Sequence, residues 1–73
     1  MNYNNLGKFI KAERLKQNVS LNEFALSNDI DPAILSRIEN LKQDIKMNIL
    51  NKIANGFNKT PAQFLTEFEN AQL

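Results

Sequence analysis

The chain contains no cysteine and no histidine, and its only glycines are Gly7 and Gly56. Without cysteine there is no disulfide and no thiolate metal site, and nothing argues for an oxidising compartment. The usual general base, the usual activated nucleophile and the soft metal ligands are therefore missing together. Ser20, Ser27 and Ser36 have no imidazole to activate them, and two isolated glycines make no phosphate-cradling loop. Only lysines and carboxylates remain for catalysis, so the expectation is a protein that is not an enzyme and takes no cofactor and no metal. Long apolar runs are missing as well. The longest are two or three residues, against the roughly 20 needed to cross a bilayer. The opening stretch MNYNNLGK has no apolar signal core. A soluble, cytoplasmic protein without a membrane partner is expected.

Charge of one sign is also in short supply, since the net charge of the 73 residues is +1. That gives no global case for nucleic acid. The distribution says more: residues 1–20 carry Lys8, Lys11, Arg14 and Lys16 against Glu13, whereas residues 21–46 hold more acids than bases. Any surface that binds phosphate must be assembled locally. At this length one domain with one small core is expected over 1–73, near the lower limit of independent stability.

What the sequence does have is helix punctuation. Leu6, Phe9, Ile10 and Leu15 follow helical spacing around Arg14, and Asn18 is a plausible left-handed stop, which predicts a helix over about 5–17. Ser20-Leu21-Asn22-Glu23 fits a capping box, in which Ser covers the N–H three residues on and Glu reaches back. A second helix therefore begins at 21, turns Phe24 and Ala25 inward and ends near Asn28-Asp29. Asp31 and Pro32 open a third, because Asp caps free N–H groups and Pro fits the first turn. It runs over about 32–39 with Ile34, Leu35 and Ile38 as its apolar stripe. Two short helices joined by so tight a turn cannot lie antiparallel for any length and should cross steeply. After a loop at 40–46, Met47, Leu50, Ile53, Ala54 and Phe57 mark a fourth helix with no good cap at its start. Thr60-Pro61-Ala62-Gln63 is a second capping box, opening a fifth through Phe64, Leu65 and Phe68. No segment alternates with period two, so the fold class is all-α, five short helices.

These segments resemble the Cro/C1-type helix-turn-helix of phage repressors and the xenobiotic-response-element (XRE) regulators. LGKFIKAERLKQN resembles helix one, VSLNEFALSNDIDPAILSRIEN the helix-turn-helix pair, and DIKMNILNKIANGFNKTPAQFL the two closing helices. LSRIEN followed by ILNKIA, at the family's separation, is the most specific part. The match covers about 6–65, leaving 66–73 as an extension of the last helix or a tail. It implies a lambda-repressor-like DNA-binding domain with the helix-turn-helix at about 21–39, acting as a transcriptional regulator and repressor. The chain departs from the family at Leu21, where a phosphate-binding Gln is usual, and at Asn18, Asp29 and Asn58, where glycines are usual. Leu41 also replaces a glycine after helix three. A branched residue disfavours the left-handed geometry, so Asn40 is expected to supply that turn, or the loop to differ.

The resemblance assigns roles residue by residue. Pro32, Ala33, Ser36 and Arg37 would face base edges in the major groove of double-stranded DNA. Arg37 would be the strong reader, with a fork suited to guanine. Ser20, Leu21 and Asn22 at the start of helix two, with Asn40, Lys42 and Lys46 after helix three, would hold phosphates. Each also has an ordinary reading as a solvated surface residue. Arg14 and Glu39 resemble an internal structural ion pair, since an arginine in an apolar stripe needs a partner. Phe64 and Phe68 either complete the core or form an exposed patch for dimerisation, and a homodimer on a palindromic operator is expected. A protein-interaction module on the same fold, with a protein partner in place of DNA, is the alternative; Leu21, Leu41 and the low net charge lean that way.

Overall fold

The computed structural model describes residues 5–71. Residues 1–4 of the N-terminal stretch and residues 72–73 of the expected tail lie outside them. Five helices follow in order: α1 (Leu6–Lys16), α2 (Leu21–Ser27), α3 (Pro32–Glu39), α4 (Met47–Gly56) and α5 (Pro61–Ala71). No strand occurs among the described residues.

Helix starts follow the caps written in the sequence. Ser20 Oγ accepts from the Glu23 N–H at 3.1 Å, and Asp31 Oδ1 from the Ala33 N–H at 2.9 Å with Pro32 at the first position. Thr60 and Gln63 make both halves of a capping box, at 3.1 and 2.9 Å. At α2 only the forward bond forms among the described residues, because exposed Glu23 leaves its carboxylate in water. Lys46 precedes α4 with no side-chain cap.

The first four helices end in one way. Asn18, Asp29, Leu41 and Asn58 all take φ between 57° and 60°. The next residue then donates its N–H five residues back: Val19 to Arg14, Ile30 to Ala25, Lys42 to Arg37 and Lys59 to Ala54. This is the Schellman closure, which satisfies carbonyls that the last turn leaves open. At α3 the left-handed residue is Leu41 itself, whereas Asn40 keeps φ −92°. The expectation that Asn40 would supply the turn is overturned. Asn40 Nδ2 donates to the Ser36 carbonyl at 2.9 Å, so Asn40 is tied down as the residue that caps the end of α3.

Packing follows the apolar stripes with two exceptions. Leu6, Ile10, Phe24, Ala25, Ile30, Leu35, Ile38, Leu50, Ile53, Ala54, Phe57, Phe64 and Phe68 form the core. Leu15 and Met47 stay exposed. Apart from Gly7, which has no side chain, the buried positions of α1 are Leu6, Ile10 and Arg14, four apart, so Leu15 stands a full residue step round from the buried side chains. Met47 is the first residue of α4, beyond the reach of the core. All five phenylalanines form one chain of rings, Phe24–Phe57–Phe64–Phe9–Phe68, with successive centroids 4.9, 5.3, 5.3 and 5.5 Å apart. Phe64 and Phe68 are thus core residues, 1% and 0% exposed, and neither offers the exposed patch considered for dimerisation.

The two buried charges among the described residues, Arg14 and Glu39, are paired with each other. Arg14 Nε and Nη2 donate to the two carboxylate oxygens of Glu39, both at 2.9 Å, and Nη1 donates to the Val19 carbonyl at 2.7 Å. Hydrogen bonding to Glu39 raises the Arg14 pKa above its ordinary value, outweighing the opposite effect of burial. Breaking a buried pair strands its partner, at a cost of about 3–5 kcal/mol, comparable with the whole stability of a domain this small. Glu39→Ala should therefore lower the urea midpoint of the helical signal severely, and adding Arg14→Ala should cost less than the sum of the two single changes. Additive losses in that double-mutant cycle would contradict the pairing. Phe68→Asp should abolish the cooperative unfolding transition rather than leave a folded monomer, because a carboxylate would replace a ring in the core. Circular dichroism and sedimentation distinguish the two outcomes.

Candidate DNA-reading surface

Four constraints position α3. Its rear face, Leu35, Ile38 and Glu39, is buried, and α1 and α2 both pack against it. Arg14 grips its C-terminal end through Glu39. Lys52 of α4 donates from Nζ to the Asp29 carbonyl at 2.8 Å and approaches Asp29 Oδ2 at 3.3 Å, which ties α4 to the turn between α2 and α3. The fourth is Gly7. A Cβ there would stand 2.0 Å from the Ile38 carbonyl oxygen and 3.1 Å from Leu41 Cδ2. Only a residue without a side chain lets the start of α1 approach the end of α3 this closely.

With its rear anchored, α3 shows its other side to solvent. Ala33 and Arg37, one helical turn apart, are exposed, and Pro32 and Ser36 are half-buried beside them. The four residues assigned to base edges thus share one side of the helix, as spacings of three and four residues require. Arg37 is not free: its Nε donates to Gln43 Oε1 at 2.8 Å. Lys42 and Lys46 are exposed in the loop beyond α3 and at the start of α4, and Ser20 and Asn22 are exposed at the start of α2. Leu21 is half-buried and packs against the core, so the residue in place of the family's usual Gln serves packing. Asn40, assigned to phosphate by the resemblance, is exposed, and its Nδ2 donates to the Ser36 carbonyl at 2.9 Å and approaches Ser36 Oγ at 3.4 Å.

A sequence model of the helix-turn-helix family matches residues 10–64. The chain belongs to the Cro/C1-type (XRE) helix-turn-helix family. Searches of curated proteins and of solved structures return no match. The family match spans α2, the turn and α3 entire, and it leaves outside it the start of α1, including Leu6 and Gly7, and most of α5, from residue 65 on. A DNA-binding regulatory domain is the function that this membership supports.

Three contributors to the surface escaped the sequence reading: Gly7, Gln43 and Lys52. Gly7 and Lys52 act through contacts 31 and 23 residues away in the chain, which no local pattern encodes. Gln43 lies in the loop, where its partner depends on the turn at Leu41. Gly7→Ala tests how closely the surface is set. The Cβ would force α1 and α3 apart, so both the unfolding midpoint and DNA affinity should fall, whereas Lys8→Ala on the exposed side of the same helix should leave the midpoint unchanged. Equal midpoints for the two variants would show that the close approach is not a constraint.

Proposed function

We propose that this chain is a sequence-specific DNA-binding transcriptional regulator that represses by occupancy, with α3 in the major groove. One observation carries the reading. Leu35, Ile38 and Glu39 hold α3 from behind while Ala33 and Arg37 stand exposed on its free side. Arg37 is the base reader, because a guanidinium can donate two bonds to the O6 and N7 of guanine. Pro32 and Ala33 offer apolar contact to a thymine methyl, and Ser36 a hydroxyl. Lys42 and Lys46, with the backbone at Ser20, Leu21 and Asn22, hold phosphates and set the register.

Each copy has a single α3, and successive major grooves on one side of B-DNA lie roughly 34 Å apart. One copy therefore reads one half-site, and the reading includes a homodimer on a palindromic operator. With Phe64 and Phe68 inside the core, the contact between copies lies elsewhere.

A second reading, a protein-interaction module that has lost DNA binding, is favoured by a different observation. An open cleft of about 700 Å³ lies between α1, the end of α3 and the loop after it, α4 and α5, lined mainly by apolar residues that include Leu6, Leu41, Met47, Leu50 and Leu65, with Asp44 among them. Leu41 and Met47 at its edge are 45% and 64% exposed.

Arg37 and Lys42 separate base reading from charge attraction. Against a site selected from a random pool, Arg37→Ala should cost about 1–3 kcal/mol and relax preference at one base pair. Lys42→Ala should weaken binding to all DNA alike and lower the slope of log affinity against log salt by about one ion. If Arg37→Ala leaves the preference unchanged and Lys42→Ala has no salt signature, the interaction-module reading takes over.

A further inference from the structure

We infer that Gln43 is a positioning residue for Arg37, presenting its guanidinium end-on to the base; this rests on the DNA-reading function proposed above. Gln43 stands outside α3, six residues past Arg37 in sequence, yet its Oε1 accepts from Arg37 Nε at 2.8 Å. The direction of the bond is fixed by chemistry, because an arginine nitrogen only donates and the amide must turn its oxygen toward it. With Nε engaged, the two terminal Nη nitrogens are left as a parallel pair of donors, the arrangement that meets O6 and N7 of guanine. An untethered arginine samples many rotamers and can also present its Nε side. The tether removes that choice before DNA arrives, which is the general route by which preorganisation improves binding.

The turn that brings Gln43 back is held in a costly conformation. Leu41 sits at φ 60°, a region that branched side chains rarely occupy. Its N–H donates to the Ile38 carbonyl at 3.1 Å and that of Lys42 to the Arg37 carbonyl at 2.8 Å. These bonds fold the chain back across the end of α3 instead of letting it run on along the helix axis. The Leu41 side chain rests beside Gly7, and Gln43 is half-buried. Backbone strain retained beside a functional side chain is the expected signature of a position whose geometry matters more than its local energy.

The test begins with a duplex selected by the wild-type protein from a random pool. Affinities are then measured for that duplex and for versions with each G·C pair changed singly to A·T. Arg37→Ala should flatten the preference at one pair, by roughly 5-fold to 150-fold. Gln43→Ala should reduce the preference at that same pair by about threefold to tenfold, with helix content unchanged. Gln43→Glu should keep the preference, since a carboxylate also accepts from Nε, while binding every duplex more weakly through its charge. In the Arg37→Ala background Gln43→Ala should alter no preference. The inference is overturned if Gln43→Ala leaves the preference intact while Arg37→Ala flattens it, or if Gln43→Ala weakens all duplexes equally in both backgrounds, which would make Gln43 a backbone contact. If Arg37→Ala itself leaves every preference intact, base reading by Arg37 fails first and the positioning role falls with it.

Discussion

The buried pair between Arg14 and Glu39 is the interaction on which the arrangement of the first three helices depends. Arg14 lies in the apolar stripe of α1, where a charge is tolerable only if every donor that it buries finds an acceptor. Two of its nitrogens meet the Glu39 carboxylate and a third meets the Val19 carbonyl. One guanidinium thereby joins α1, the turn into α2 and the end of α3. Hydrophobic contacts among Ile10, Phe24, Leu35 and Ile38 are non-directional and permit α3 to slide or roll. A bidentate ion pair does not, because both of its hydrogen bonds are lost with a small rotation.

Around that pair the chain economises on length. Four helices close with the same left-handed turn at Asn18, Asp29, Leu41 and Asn58, so each connection reverses within a few residues. Asn and Asp tolerate that conformation at modest cost, and each supplies what a glycine would without adding its flexibility to the unfolded chain. Leu41 has no such excuse. It sits where α3 ends, beside the Gly7 contact and immediately before Lys42 and Gln43, and its strain is borne by the packing of α1 against α3. The aromatic chain from Phe24 to Phe68 then joins α2, α4, α5 and α1 into a single core, with offset and tilted contacts that add about 0.5–1.5 kcal/mol per pair beyond burial.

The division of labour matches the proposed mechanism. Everything that anchors α3 lies behind it or at its ends, and the side left free carries little besides Ala33 and Arg37. Low net charge is compatible with this design, because Lys42 and Lys46 are exposed next to the helix that they would help to position, and phosphate attraction acts over about 10 Å in ordinary salt. Under the proposed function a short helix suffices, because only one or two turns would have to enter a groove.

The sequence by itself determined the local structure and the family. Caps at Ser20, Asp31 and Thr60, and left-handed residues at Asn18, Asp29 and Asn58, act through bonds within five residues, and the boundaries of α2 and α3 were legible for that reason. The Arg14–Glu39 pair was legible from the cost of a lone charge in an apolar stripe together with the family resemblance. Other features were decided only by tertiary structure. Whether Phe64 and Phe68 face the core or the solvent depends on where α1 lies, and the stripe of α5 looks the same in either case. Leu15 and Met47 fit helical spacing yet fall outside the core, since periodicity defines a face but not how far the neighbouring helices extend over it. Leu41 took the turn expected of Asn40 because hydrogen bonds to Ile38 and Arg37, and packing beside Gly7, outweigh a local preference of about 1–2 kcal/mol. The Arg37–Gln43 bond exists only once that turn is made.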